Sequence, residues 1–198
     1  ARRLLNEAGL HDVKILASGD LDEYQIIDLK SRGACVDSWG VGTRLATSYD
    51  EPALTVVYKL TAIQDETGQW EDKMKISSEK AKRTIPGILR VRRFYQQDRA
   101  VYDLLYDERD GEPDHGFRRI SCPPPTEGRD LLVELIHAKG TVSHLPDLET
   151  VRQYAQQELA SLPEGVLSCR RPESFRVLLS RGIRRRQRLL QRLKESLS

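Results

Sequence analysis

Residues 13–20 read VKILASGD and residues 34–43 read ACVDSWGVGT, and these two stretches decide the fold class. Each begins as a short, mostly apolar run and ends in a glycine-containing turn, which is typical of a buried parallel strand. Helices are predicted before each run, over residues 1–8 and 21–31, with Asp20 as the cap of the second helix. The resulting α-β-α-β order indicates a parallel α/β sheet or barrel.

The two predicted strands, residues 13–17 and 34–39, cannot close a sheet by themselves. Their apolar faces need partners that two α-β pairs do not supply. The chain also opens within the predicted helix of residues 1–8 and has no initiator Met. We therefore expect a piece of a longer protein in which residues 1–50 are the last strands and helices of an α/β barrel.

From residue 51 to residue 198 the pattern is that of an α+β module. Alternating and β-branched residues between 56 and 137 predict an antiparallel meander with turns at Gly68, Pro86-Gly87 and Asp98. Apolar periodicity predicts two helices, at about 148–162 and 181–197. The predicted strands are residues 56–64, 73–77, 88–96, 100–107 and 131–137.

The composition excludes several classes of protein. Hydrophobic residues make up 38% and charged residues 31% of the chain, which is typical of a globular protein. No apolar run is long enough to span a bilayer. The cysteines are far apart and form no CxxC motif, which argues against a disulfide framework or a zinc site and favours a reducing cytoplasm. These cysteines are Cys35, Cys122 and Cys169.

Familiar catalytic motifs are also missing from the sequence. It contains no Walker A loop, no complete GxGxxG and no nucleophile elbow. The histidines have no metal-ligand spacing, so we assign no catalytic or metal-binding residue among them. They are His11, His115, His137 and His144.

The C-terminus is the most basic part of the chain, with seven basic residues and no acid between residues 181 and 194. Such a run can bind nucleic acid or another anionic surface. It can equally be the solvated face of an amphipathic helix whose apolar side chains, such as Ile183 and Leu190, point inward. We favour the second interpretation and expect no nucleic-acid partner.

The two turns that follow the predicted strands are candidates for binding phosphate. Adjacent parallel strands would bring the turns together at one edge of the sheet, where glycines let an anion approach the backbone amides. A hydroxyl on each turn adds a further donor. The candidate residues are Ser18, Gly19, Gly40, Gly42 and Thr43, with Asp20 as an additional candidate.

Six stretches follow the motif order of a known family. They read VKILASGDLDEY at 13–24, DSWGVGTRLATS at 37–48, VYKL at 57–60, KISS at 75–78, TIPG at 84–87 and RPESFRVLLS at 171–180. In these stretches the chain resembles the C-terminal half of nicotinate phosphoribosyltransferases. It departs from the family pattern at Gly19, where Asn is frequent, and near Glu173 and Phe175, where His and Tyr are usual.

The resemblance implies a fold and a reaction. The fold would be an incomplete type II phosphoribosyltransferase barrel, an α/β (TIM-like) barrel, joined to a smaller domain. The reaction would transfer phosphoribosyl from 5-phosphoribosyl-1-pyrophosphate to nicotinate, giving nicotinate mononucleotide and pyrophosphate, in NAD biosynthesis. It would use ATP and Mg²⁺ and a catalytic histidine in upstream segments, so this chain alone would be inactive and would supply only the 5-phosphate loops.

The resemblance also implies partners and leaves alternatives open. A cytoplasmic homodimer with no membrane association is expected, built together with the N-terminal half of the enzyme. A related transferase acting on nicotinamide or quinolinate would look the same in this part of the chain. A non-catalytic phosphate-binding relic of such an enzyme is the other alternative.

Overall fold

The structure, a computed structural model, divides into two compact units. Unit 1 is Ala1–Val57 with Cys169–Arg171, and unit 2 is Tyr58–Ser168 with Pro172–Ser198. The mixed α/β class expected from the sequence is confirmed. In the part of the chain described, no helix is long and apolar enough to cross a membrane. The structure describes residues 1–53, 56–77, 79, 82–113, 127–136, 140, 142 and 144–196.

Some sequence-based expectations lie outside these ranges. They concern His115, Cys122 and His137.

Unit 1 contains a pair of short parallel strands, each followed by a helix. Its elements are α1 (Arg2–Glu7), β1 (Leu16–Ser18), α2 (Glu23–Ser31), β2 (Ser38–Gly40) and α3 (Thr43–Ala46). The register places Leu16 opposite Ser38 and Ser18 opposite Gly40. Both strands begin later than predicted because the Ile15 amide donates to the Asp37 carboxylate at 2.8 Å, in place of a ladder partner.

The cap of α2 differs from the sequence expectation. Asp22, not Asp20, accepts the hydrogen bond from the Gln25 amide, at 2.8 Å. Asp20 has a φ of +47°, a left-handed conformation that cannot start a helix, whereas Asp22 is extended, as an N-cap residue must be. The helix therefore begins at Glu23, two residues later than predicted.

Unit 1 buries little of its apolar surface. Among its described residues only Leu21 is buried, with 8% of its surface exposed. Leu16 in β1 is 66% exposed and Leu45 in α3 is 71% exposed. Backbone pairing and side-chain hydrogen bonds, rather than a hydrophobic core, thus define the conformation of this unit.

Unit 2 is built on a four-stranded sheet with the order β7-β5-β6-β8. The pairs β5–β6 and β5–β7 are antiparallel, and β6–β8 is parallel. A separate hairpin, β3–β4, precedes the sheet. The elements are β3 (Ala62–Gln64), β4 (Trp70–Asp72), β5 (Leu89–Gln96), β6 (Arg99–Asp107), β7 (Glu127–Asp130), α4 (Leu148–Ser161), β8 (Val177–Leu179) and α5 (Arg181–Glu195).

Unit 2 differs from the predicted meander at three places. Strand β3 is shorter than the expected strand 56–64, and β4 precedes the expected strand 73–77. The Asp65 carboxylate accepts the amides of Thr67 and Gln69, which fixes a tight turn and lets the chain pair again from residue 70. Strand β7 precedes the expected strand 131–137, since residues 127–130 are the ones that pair with β5. The parallel strand β8 was not predicted.

The hydrophobic core of unit 2 lies on the β5–β6 hairpin. Phe94, Tyr102 and Leu104 form a buried cluster, with the rings of Phe94 and Tyr102 stacked at 5.0 Å between centroids. From α5, Ile183 is fully buried. These contacts give unit 2 the core that unit 1 lacks.

At the end of β6, carboxylates pair with arginines, one of them from α5. Asp107 is fully buried and accepts from Arg109 Nε at 2.8 Å. Arg186 of α5 holds Asp110 through two hydrogen bonds of 2.6 and 2.7 Å. Gly87, with a φ of +118°, packs so closely on Asp107 that a Cβ atom there would lie 2.2 Å from a carboxylate oxygen.

Candidate phosphate-binding site

The structure brings two of the predicted site residues into contact. Ser18 ends β1 and Gly40 ends β2, and the two are partners in the parallel ladder. A Cβ atom on Gly40 would lie 3.2 Å from Ser18 Cβ and 3.3 Å from Ser18 Oγ. The glycine thus makes room for Ser18, so the two turns leave neighbouring strands at the same edge of the sheet.

The remaining predicted residues lie on the two turns that continue from this edge. Gly19 has a φ of +118°, which a residue with a side chain rarely adopts. Gly42 directly precedes α3, and a Cβ atom there would meet nothing within 4 Å. Thr43 is the first residue of α3, whose first amides have no partner within the helix. All three residues are exposed.

The glycines therefore serve different purposes. Gly40 is favoured by packing and Gly19 by its backbone conformation, whereas no neighbour of Gly42 explains the lack of a side chain there. An anion that approaches the backbone closely would explain it. Asp20 is exposed on the first turn, and the structure gives it no capping role.

Two residues that sequence reasoning did not assign to the site connect the turns. Asp22, the cap of α2, forms a salt bridge of 2.9 Å with Arg44 of α3. The Arg44 guanidinium also lies 4.5 Å from the centroid of the Tyr49 ring. Asp22 stands out in the sequence as a first-turn acid, but nothing in the sequence pairs it with an arginine 22 positions later.

Beside this salt bridge lies an open cavity of about 510 Å³. Ile26, Val41 and Leu45 supply apolar walls, and Asp22, Arg44 and Tyr49 supply polar groups. Val41 lies between the two glycines of the second turn, so the cavity borders the candidate phosphate residues. A site with apolar walls and a few oriented polar groups is typical of small-molecule binding.

The strand pairing beneath the site is held by an ionised side chain. The hydrogen bond from the Ile15 amide, together with the nearby positive charge of Arg2, holds the pKa of Asp37 below its ordinary value of 3.8. Arg2 donates to the same carboxylate at 2.8 Å. Asp37 is therefore charged at neutral pH and fixes the start of β2 against β1.

Within the described ranges, no group of three or more His, Cys, Asp or Glu side chains is arranged to hold a metal ion. We assign Mg²⁺ no ligand among the described residues, and the expectation that its ligands lie in upstream segments stays a prediction.

Comparison with known proteins identifies the family. The model of the nicotinate phosphoribosyltransferase C-terminal domain matches residues 89–187. Nicotinate phosphoribosyltransferase of Bacillus subtilis is 41% identical over 193 residues, covering 91% of this chain and 39% of that protein. The enzyme of Dictyostelium discoideum is 29% identical over 187 residues, covering 85% of this chain and 31% of its own length.

A solved structure shows the same fold. The crystal structure of human nicotinic acid phosphoribosyltransferase matches all of this chain and 36% of its own, with a TM-score of 0.64 and 22% identity. The chain thus spans well under half the length of the relatives it matches. On the family match and these similarities, the chain belongs to the nicotinate phosphoribosyltransferase family and corresponds to its C-terminal part.

Proposed function

We propose that this chain supplies the 5-phosphate anchor of a nicotinate phosphoribosyltransferase. The whole protein would transfer phosphoribosyl from 5-phosphoribosyl-1-pyrophosphate to nicotinate, giving nicotinate mononucleotide and pyrophosphate. In this proposal ATP hydrolysis and Mg²⁺ act in parts of the enzyme that this chain does not contain. Its TIM-like barrel would be completed by those parts, and the chain alone would be inactive.

One observation supports this proposal more than any other, the pairing of Ser18 with Gly40. That register sets two glycine-containing turns side by side at the carboxyl ends of parallel strands. Ligands of parallel α/β folds bind at this end of the strands. The open space at Gly42 then gives an anion access to the backbone amides of the second turn.

Anchoring the phosphate would act on the reaction at a distance. The 5-phosphate does not change during phosphoribosyl transfer, so its binding energy can be used to fix the reacting sugar carbon. Amides and hydroxyls of the turns would hold it, and the Asp22–Arg44 salt bridge would keep the helices that follow the turns at a constant spacing. Loss of the anchor should therefore weaken donor binding and lower turnover together.

The proposal is tested by Gly42→Val in the full-length enzyme. Nothing lies within 4 Å of the new Cβ atom, so the side chain fits but occupies the space proposed for the anion. We expect the affinity for 5-phosphoribosyl-1-pyrophosphate, measured by isothermal titration calorimetry, to fall at least tenfold while the melting temperature stays within a few degrees. Unchanged affinity would refute the assigned role.

A matched pair at the next residue separates loss of a hydroxyl from loss of shape. Thr43→Val removes the hydroxyl at nearly constant volume, and Thr43→Ser restores it in a smaller side chain. We expect weaker donor binding for the valine variant and recovery for the serine variant. Equal effects of both would mean that Thr43 contributes packing only.

The accepted base is settled by activity of the full-length enzyme on nicotinate, nicotinamide and quinolinate. We expect turnover of nicotinate, stimulated by ATP. A protein that binds the donor but transfers phosphoribosyl to none of the three would support the relic instead. We further propose a cytoplasmic homodimer, to be checked by sedimentation velocity.

A further inference from the structure

Unit 2 contains a second cavity, and its walls carry arginines but no acid. It measures about 440 Å³ and lies where α5 meets the segment before β5. Arg184 and Arg188 come from α5 and Arg83 from the other wall. Its remaining lining residues are Ile85, Gln187 and Gln191.

The helical wall is one continuous stripe. Positions 184, 187, 188 and 191 are spaced three and four residues apart, so their side chains lie along one face of α5. Two like charges one helical turn apart, Arg184 and Arg188, disfavour the helix. This repulsion slightly destabilises the folded helix, and an anion bound between the two arginines would remove it.

The other wall is held in place before any ligand binds. Arg83 Nε donates to the Ser77 carbonyl at 2.8 Å, which orients the guanidinium and leaves its terminal nitrogens to other partners. Thr84 is buried, and its hydroxyl accepts the Lys75 amide at 2.7 Å. Three residues further on, Gly87 packs on Asp107. Little ordering of this wall is therefore required when a ligand binds.

Neighbouring arginines on α5 show the contrast. Arg186 is neutralised by two hydrogen bonds to Asp110. Among the described residues, by contrast, no carboxylate forms an ion pair with Arg83, Arg184 or Arg188. On α5, Arg186 is thus bound to a carboxylate, whereas Arg184 and Arg188 line the cavity.

We propose that this cavity binds a small anion that carries more than one phosphate group, such as pyrophosphate or the polyphosphate of a nucleotide. One guanidinium group can bind two phosphate oxygens at once. Three guanidinium groups around one cavity therefore match a ligand with two or more phosphates. The glutamine amides add neutral donors, and Ile85 offers an apolar surface for an attached group. A concave site favours a compact ligand over a nucleic-acid strand, which needs an extended track of charge.

The test compares two pairs of charge reversals on the same helix. Arg184→Glu with Arg188→Glu changes the cavity, whereas Arg185→Glu with Arg192→Glu makes an equal charge change at exposed positions outside it. In the full-length protein, inorganic pyrophosphate binding is measured by isothermal titration calorimetry at two salt concentrations. Because pyrophosphate is a product of the proposed reaction and can also occupy the catalytic site, the titrations are fitted to two sites, and the expected changes concern the site outside the catalytic one. We expect the first pair to weaken binding at least tenfold and the second pair to weaken it less than twofold.

Other outcomes would overturn the proposal. Equal weakening by both pairs would mean a diffuse electrostatic effect. Absence of pyrophosphate binding together with retention of a single-stranded oligonucleotide would mean a nucleic-acid surface. If the glutamate pair unfolds, Arg184→Gln with Arg188→Gln takes its place. This pair should leave folding unchanged and should still reduce binding at least fivefold.

The result is independent of the phosphate turns of unit 1. Gly42→Val should leave pyrophosphate binding at the arginine cavity in place, and the arginine variants should leave the KM for 5-phosphoribosyl-1-pyrophosphate in the transfer reaction in place, because KM reports only on the donor bound at the catalytic site. Failure of one assignment can therefore be told apart from failure of the other.

Discussion

The two units of the chain are stabilised in different ways. Unit 1 presents the candidate phosphate turns on short paired strands and buries only Leu21 among its described residues. Unit 2 buries a cluster around Phe94 and Tyr102 and a carboxylate with its arginines. The comparison indicates that the geometry of the candidate site is set locally, by register and turns, whereas the buried hydrophobic cluster of the described residues lies in unit 2.

The largest effect is expected from Asp107→Ala in unit 2. Asp107 is fully buried, and its removal takes from Arg109 one of its two carboxylate partners, Asp72 being the other, which should cost about 3 kcal/mol of unfolding free energy. The adjacent Glu108→Ala is the control, because Glu108 is half exposed and its ion pair with Arg90 is worth about 1 kcal/mol or less. Urea titration followed by circular dichroism measures both. Similar losses would show that the buried carboxylate is not special.

A loss of stability no larger than this is expected when one leucine is replaced by alanine in each unit. This pair of variants compares the two units directly. Leu104→Ala should lower the stability of unit 2 by about 3 kcal/mol, because it opens a cavity in the core. Leu21→Ala should leave unit 2 unchanged and disturb unit 1 only.

The two tryptophans allow these effects to be separated. Trp39 lies in β2 and Trp70 lies in β4, one in each unit. Fluorescence of Trp70→Phe then reports on unit 1, and fluorescence of Trp39→Phe reports on unit 2. If Leu21→Ala lowers both transitions equally, the units unfold together and the comparison fails.

The smallest effect is expected on acidification. Asp37 has a folded pKa below 3.8, so its stabilising contribution is complete above that pH and is lost as the pH falls through the folded value. Asp37→Asn should flatten the response of Trp39 fluorescence between pH 5 and about 2. The control is the Trp70 signal, which should keep its acid transition in this variant. That transition depends on Asp107: burial raises the pKa of its carboxyl, but the hydrogen bonds from Arg109 outweigh burial and hold the pKa below its ordinary value.

The sequence predicts elements better than their ends. Apolar periodicity located α4 and α5, and glycine-terminated apolar runs located β1 and β2. The cap was displaced because Asp20 and Asp22 are both suitable cap residues, and only the left-handed φ of Asp20 decides between them. Strand β8 was missed because three residues carry too little pattern to distinguish a strand from a loop.

The candidate site could be predicted only in part, because the sequence shows local patterns but not contacts between distant residues. Turn residues can be identified from the few residues around them, so the candidates on the two turns could be named from the sequence. The Asp22–Arg44 salt bridge and the arginine cavity join residues distant along the chain, and only the folded structure pairs them. Whether the turns bind phosphate stays a prediction until donor binding is measured.

The parallel pairing of β8 with β6 has a consequence for synthesis on the ribosome. Residues 103–105 pair with residues 177–179, which leave the ribosome more than 70 residues later. Until then the growing polypeptide exposes a strand edge beside an already formed hairpin, and such an edge attracts other nascent chains. This edge therefore stays open to unwanted pairing until residues 177–179 have been synthesised.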